Sequence, residues 1–208
     1  MIAIVDYDAG NVRSVINALR RLGVKEWDLT EDPSKLREAD KVLLPGVGDA
    51  SVAIGSLRSC GLDTVIKTLE KPVLGICVGM QALCRHSEEG DAEGLGIFDA
   101  QVRRFRQDEP AVILSEAKNP GPVLKVPHMG WNRIHNLKTG IFNGLDEGSF
   151  VYFVHSYYAG ICLDTVATTT YGVPFSAALC RDNFYGTQFH PEKSGSVGSL
   201  ILKNFLEL

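Results

Sequence analysis

A chain of 208 residues that is 45% hydrophobic and 22% charged has enough apolar material for one sizeable core and too much for wholesale disorder. Its net charge of −4, without any long Lys/Arg block, leaves no electrostatic footprint for nucleic acid or anionic lipid. The start, MIAIVDYD, reaches an acidic residue after five apolar ones and no later run approaches transmembrane length, so no leader or membrane span is expected and the cytoplasm is the expected compartment.

Along the first half, short β-like runs alternate with helical patterns. Residues 2–6 read as a strand, followed by a helix over 11–22 in which Val12, Val15, Ile16, Leu19 and Leu22 recur at helical spacing. Asn11 is its expected N-cap and Gly23 its stop. Strands at 27–29, 42–44 and 73–76 follow, with a helical stretch from Asp49 between the last two. Such alternation predicts βαβ units and a parallel sheet. Residues 107–122 mix charges with Pro110, Pro120, Gly121 and Pro122 and read as a surface excursion, in which 111–114 could add a short strand. The second half is richer in strands, at 150–154, 166–170, 177–180 and 185–189. A last helix directs Val197, Leu200, Ile201 and Phe205 to the core. The expected architecture is α/β, a single domain over 1–208 with a central mixed, mostly parallel sheet flanked by helices.

Chemistry concentrates at three strand ends. The first is Gly-Ile-Cys-Val-Gly over 75–79, where an apolar strand runs into a helix through Cys77. This is the thiol counterpart of a nucleophile elbow, with glycines allowing the sharp turn. A helix N-terminus favours an anionic sulfur and offers the Val78 amide to a developing oxyanion. Most unpaired cysteines are simply buried small hydrophobes, and a chance G-x-C-x-G occurs in roughly one such chain in twenty, so the motif needs partners. The second strand end, Gln188-Phe-His-Pro-Glu192, supplies them. Residues two apart in an extended chain face the same side, which would let His190 act as base and Glu192 orient it. The third is Pro45-Gly-Val-Gly48, whose Val47 and Gly48 amides are candidates for the other half of an oxyanion hole. The five cysteines, at 60, 77, 84, 162 and 180, contain no CxxC pair. Neither a disulfide framework nor a metal site is expected, and no cofactor.

In this order, GICVGMQ around Cys77, HPE at 190–192 and PGVG at 45–48 resemble the class I glutamine amidotransferases, and the resemblance runs over essentially the whole chain. Within that class the chain is similar to the subunits that serve imidazole glycerol phosphate synthase in histidine biosynthesis. The carrying segments are DYDAGN at 6–11, EGLG at 93–96, VPHMGWN at 126–132, YFVHSY at 152–157 and HPEKS at 190–194. The resemblance implies glutamine hydrolysis through a Cys77 thioester, with His190 and Glu192 completing the triad. It also implies that Gln81 and Glu93 hold the amino-acid end of glutamine beside the backbone of His155, Ser156 and Tyr157. It further implies a heterodimer with a (β/α)8-barrel cyclase that receives the ammonia, with Asn11, Trp131 and Lys193 facing that partner. Without the resemblance, His128 could simply cap a turn. Two departures stand out: Asp8, where the family usually has glycine, and the length of the 107–122 excursion. The triad alone leaves open an amidotransferase for anthranilate, guanylate or vitamin B6 synthesis, or an interaction subunit that has lost turnover.

Overall fold

The computed structural model describes residues 1–7, 12–106 and 124–208. Asp8, the expected cap and interface residue Asn11, and the 107–122 excursion lie outside the described residues. The first half contains β1 (Ile2–Val5), α1 (Val12–Arg21), β2 (Trp27–Thr30), α2 (Pro33–Glu38), β3 (Lys41–Gly46), α3 (Ala50–Ser59), α4 (Leu62–Lys67), β4 (Val73–Cys77) and α5 (Val78–Leu83). There follow β5 (Cys84–Ser87), β6 (Ala92–Glu93), β7 (Phe98–Arg104), β8 (His128–Arg133), β9 (Phe150–His155), β10 (Tyr157–Ala159), β11 (Thr165–Tyr171), β12 (Val173–Arg181), β13 (Phe184–Thr187) and α6 (Gly195–Leu206).

Seven strands form the main sheet in the order β11-β12-β13-β4-β3-β1-β2. From β13 to β2 the neighbours are parallel, and β12 and β11 extend the sheet antiparallel. The mixed, mostly parallel sheet expected from the alternating pattern is present. A second sheet, β10-β7-β5-β6, and the β8–β9 hairpin build the remaining wall.

Local sequence explains the elements that were legible. In α1, Val15, Ala18 and Leu19 are buried, and the helix stops where Gly23 adopts φ +79°. The Val24 amide then donates to the Leu19 carbonyl and the Gly23 amide to Arg20, a Schellman closure that a Cβ would strain. Asp49 caps α3 by accepting from the Ser51 and Val52 amides, as its position before an apolar run predicts. The helices α2 and α4 were not anticipated, because six residues are too few to display a helical period. In α6, Ile201, Leu202 and Phe205 are the buried apolar side chains, whereas Val197 and Leu200 are half-buried at the margin.

The strand ends converge. Gly46 at the end of β3 is in register with Cys77 at the end of β4, and Thr187 at the end of β13 pairs with Ile76. All three candidate motifs therefore open on one crevice at the carboxyl edge of the sheet, where parallel α/β folds place their ligands.

Candidate active site

Cys77 ends β4 and begins α5 with φ +55° and ψ −109°. A non-glycine residue in that region carries roughly 1–3 kcal/mol of strain, so the surrounding packing must hold the turn. The sequence suggested that the flanking glycines make it. They instead permit close approach: a Cβ on Gly79 would collide with the Leu44 carbonyl, and one on Gly75 would sit 2.8 Å from the Met80 amide. The sharp turn falls on Cys77 itself, while the glycines let α5 lie against β3.

His190 and Glu192 meet, though not by the route expected. The residues after His190 form a 3-10 turn over Pro191–Lys193 rather than continuing extended, so the two side chains come together around a turn. His190 Nδ1 lies 2.8 Å from Glu192 Oε1, with both side chains 2% exposed. A carboxylate can only accept, so Nδ1 carries the proton and Nε2 is left as the free nitrogen. Nε2 is buried without a hydrogen-bond partner, and His190 lines the same cavity as Cys77. Burial opposes a charge on this imidazole, yet interactions with Cys77 and then Glu192 outweigh it and raise its pKa to about 9. An imidazole that binds its second proton this firmly beside a thiol can draw that proton from the sulfur, which is the pairing a nucleophilic cysteine requires.

That cavity, of about 450 Å³, is lined by Val47, Gly48, Cys77, Val78, Gln81, His155, Ser156, Tyr157, His190 and Lys193, all anticipated, and by Glu89, Pro127 and Val154. Gln81 is buried, and its Nε2 donates to the Tyr157 carbonyl at 2.9 Å and to Gln188 Oε1 at 3.0 Å. Glu93 lies apart from the cavity: it is exposed on β6, outside the cavity wall, paired with His86 across β5 and β6, and its carbonyl accepts from Arg58. The carboxylate in the wall is Glu89, which accepts from the Ala50 amide at 2.7 Å. Burial raises its pKa, against that hydrogen bond. The signal available in the sequence was the Glu88-Glu89 pair shortly after the elbow helix. Of the partner-facing residues, Trp131 is 55% exposed next to Met129, 67% exposed, on β8, and Lys193 stands at the cavity wall. Among the described residues, no group of three or more His, Cys, Asp or Glu side chains is arranged to hold a metal ion.

The turn after β3 is asymmetric. A Cβ on Gly46 would collide with the Gly79 amide and come within 2.8 Å of the Tyr7 hydroxyl, and that hydroxyl donates to the Pro45 carbonyl at 2.6 Å. Gly48, by contrast, has φ +91° and open space around it. The two glycines thus have different tasks: Gly46 allows tight packing, and the conformational freedom belongs to Gly48.

His128 does not cap a turn. It is buried in β8, stacked on Phe153 and Tyr171 with centroids 4.8 and 4.0 Å away, and its Nδ1 lies 3.0 Å from His155 Nε2. Burial lowers the pKa of His128 to about 4 and, as the largest cause, that of His155 to about 3. A depressed folded pKa gives stability that is present above the ordinary value near 6.5 and lost as the pH falls. His190 has the opposite sign: its raised pKa gives stability that is fully present below the ordinary value and lost as the pH rises toward about 9, so acidification returns part of the loss. Taken together, acidifying from pH 7 to 5 is expected to cost about 3 kcal/mol of folding stability. Chemical denaturation at the two pH values measures it, and an unchanged midpoint would contradict two neutral buried histidines.

A model of the family "Glutamine amidotransferase class-I" matches residues 3–208, in keeping with the elbow cysteine, the His–Glu pair and the cavity between them. The chain is 52% identical over 207 residues to the imidazole glycerol phosphate synthase subunit HisH of Bacteroides thetaiotaomicron, covering 100% of this chain and 99% of the relative. It is 42% identical to the subunit of the same name from Escherichia coli K12, with the same coverage. A solved structure of a glutamine amidotransferase superposes with a TM-score of 0.69 at 17% identity, covering 100% of this chain and 98% of that one, and shows the shared fold. The chain belongs to the class I glutamine amidotransferase family and, within it, to the HisH subunits of imidazole glycerol phosphate synthase.

Proposed function

We propose that this glutaminase subunit hydrolyses glutamine at Cys77 and delivers the ammonia to a cyclase subunit. The observation that carries the reading is the free Nε2 of His190 in the same buried cavity as the Cys77 sulfur. His190 Nε2 takes the thiol proton, and the sulfur attacks the side-chain carbonyl carbon of glutamine. The negative charge that develops on oxygen is met by the Val78 amide and by the Val47–Gly48 turn. His190 then returns the proton to nitrogen as ammonia leaves and a thioester remains. Water, deprotonated by the same imidazole, adds to the thioester; glutamate departs and the sulfur regains its proton. Glu192 holds the imidazole in the required tautomer throughout.

Substrate recognition follows from the wall of the cavity. The Glu89 carboxylate suits the α-ammonium group of glutamine, with Gln81 and the backbone of Ser156 and Tyr157 beside it. Glu89→Gln is expected to raise KM for glutamine about 10-fold or more, because a charge-assisted contact is lost. Glu93→Gln should leave KM near its original value, and steady-state glutamate release on both variants separates the two carboxylates. If Glu93→Gln gave the large effect, the assignment of Glu89 would fail.

The acceptor of the ammonia follows from kinship with the HisH subunits. The partner is a (β/α)8-barrel cyclase that forms imidazole glycerol phosphate and aminoimidazole carboxamide ribotide, and Trp131 and Met129 with Lys193 form the docking face. An exposed tryptophan next to an exposed methionine is the composition of an interface core. The test is reconstitution: the purified chain and a cyclase should together consume glutamine and form product, whereas a Trp131→Ala variant should need far more cyclase to do so.

A further inference from the structure

A second donor reaches the reactive sulfur. Gln188, two residues before His190, is fully buried, and its Nε2 lies 3.7 Å from Cys77 Sγ. On its other side the sulfur lies 4.0 Å from the Val154 carbonyl. We propose that Gln188 is a further catalytic residue, donating an amide N–H to the Cys77 sulfur in a direction fixed by Gln81 and the Tyr157 carbonyl. This rests on the reading of Cys77 as the nucleophile.

The direction follows from counting donors and acceptors around these side chains. Asn132 Oδ1 accepts from the Arg133 amide at 2.8 Å, so its Nδ2 faces the Thr170 carbonyl at 3.0 Å and His128 Nε2 at 3.4 Å. Facing a donor, His128 Nε2 must accept, which leaves the proton on Nδ1 to be donated to His155 Nε2 at 3.0 Å. His155 then donates from Nδ1 to the Tyr157 carbonyl at 2.7 Å. Gln81 Nε2 donates to the same carbonyl and, with its second hydrogen, to Gln188 Oε1. If the Gln81 amide were reversed, its oxygen would face the Tyr157 carbonyl, which can only accept. Gln188 therefore presents oxygen to Gln81 and N–H to the sulfur, and its burial denies it any alternative partner in solvent.

The chemical consequence is selective. An N–H aimed at sulfur strengthens as the sulfur becomes anionic, because hydrogen bonds to charged acceptors exceed neutral ones. It is weaker once the sulfur is acylated. Gln188 thus favours the state in which the proton has passed to His190, and favours it again when the thioester expels the sulfur as a leaving group. Gln81 acts through it as a positioning residue.

The test uses the full chain with Gln188→Met, which keeps volume and removes the amide. Alkylation of Cys77 by iodoacetamide is followed against pH and read at the Cys77 peptide by mass spectrometry, since Cys60 is exposed and also reacts. The midpoint is expected to rise by about one pH unit, which is about 10-fold slower alkylation below it. Glutaminase kcat should fall about 10-fold with KM within about 2-fold. Should Gln188→Met fail to fold, Gln188→Asn retains an amide for Gln81 but withdraws the donor from the sulfur, and the same shift is expected. An unmoved midpoint and kcat in either folded variant overturns the role of Gln188. Cys77→Ser measured alongside separates the two readings: if it keeps turning over glutamine, the nucleophile assignment itself has failed.

Discussion

Cys77→Ser is expected to lose glutamine-dependent turnover by a factor on the order of 10⁴ or more, while synthesis from added ammonium salts continues when the partner is present. The hydroxyl is the smaller atom and a far weaker acid than the thiol, so His190 can generate little nucleophile from it at neutral pH. The elbow itself should survive, because the φ of +55° is imposed by β4 and α5 on either side of the residue and not by the sulfur. Co-elution of the variant with the cyclase is the control that the chain still folds and docks. Glutamate release and product formation from each nitrogen source measure it, and glutamine turnover persisting in the variant would remove Cys77 from its proposed role. Cys60, Cys84, Cys162 and Cys180 lie outside the cavity wall, so their replacement should leave the chemistry without comparable loss.

The second large effect is expected from the partner. The isolated chain should bind glutamine yet hydrolyse it slowly, and turnover should rise about 100- to 1,000-fold when the ligand-bound cyclase docks, the scale set by one missing oxyanion donor. The movable part is narrower than the Gly-Val-Gly pattern suggested. Gly46 is held in register with Cys77 and packed against Gly79, and Pro45 is tied to the Tyr7 hydroxyl. Only the peptide between Val47 and Gly48 has a free glycine at its end, where a change of φ costs little. Steady-state glutaminase kinetics on the chain alone, with the cyclase, and with the cyclase and its nucleotide ligand decide the matter. A lone chain already running at the rate of the complex would end the peptide-switch idea and leave the triad intact.

The contrast between Glu93 and Glu89 illustrates where sequence reading stops. Both stand in one short acidic stretch after the elbow helix, and nothing in their spacing from Cys77 says which carboxylate turns inward. The choice is made by the tight turn at 89–91, by Gly90 at φ +69° and by the Ala50 amide that holds Glu89 against α3. Likewise the sequence leaves His128 free to cap a turn. The aromatic rings that enclose it come from Phe153 and Tyr171, on strands distant in sequence.

By itself the sequence determined the alternating α/β order, the strand–Cys–helix elbow, the His and Glu partners and the glycine-rich turn after β3. Each of these is written in local periodicity or in a short motif whose chemistry depends on neighbouring residues. Only the tertiary structure decided that the turn strain falls on Cys77, that His190 and Glu192 meet around a 3-10 turn, that Glu89 and not Glu93 faces the cavity, and that Gln188 reaches the sulfur. Those outcomes depend on how closely α5, β3, β9 and β13 approach one another, and therefore on contacts between residues up to 111 positions apart. No local pattern encodes such distances. They are set by which side chains fill the space between elements, and by buried donors and acceptors that must find one another once water is gone.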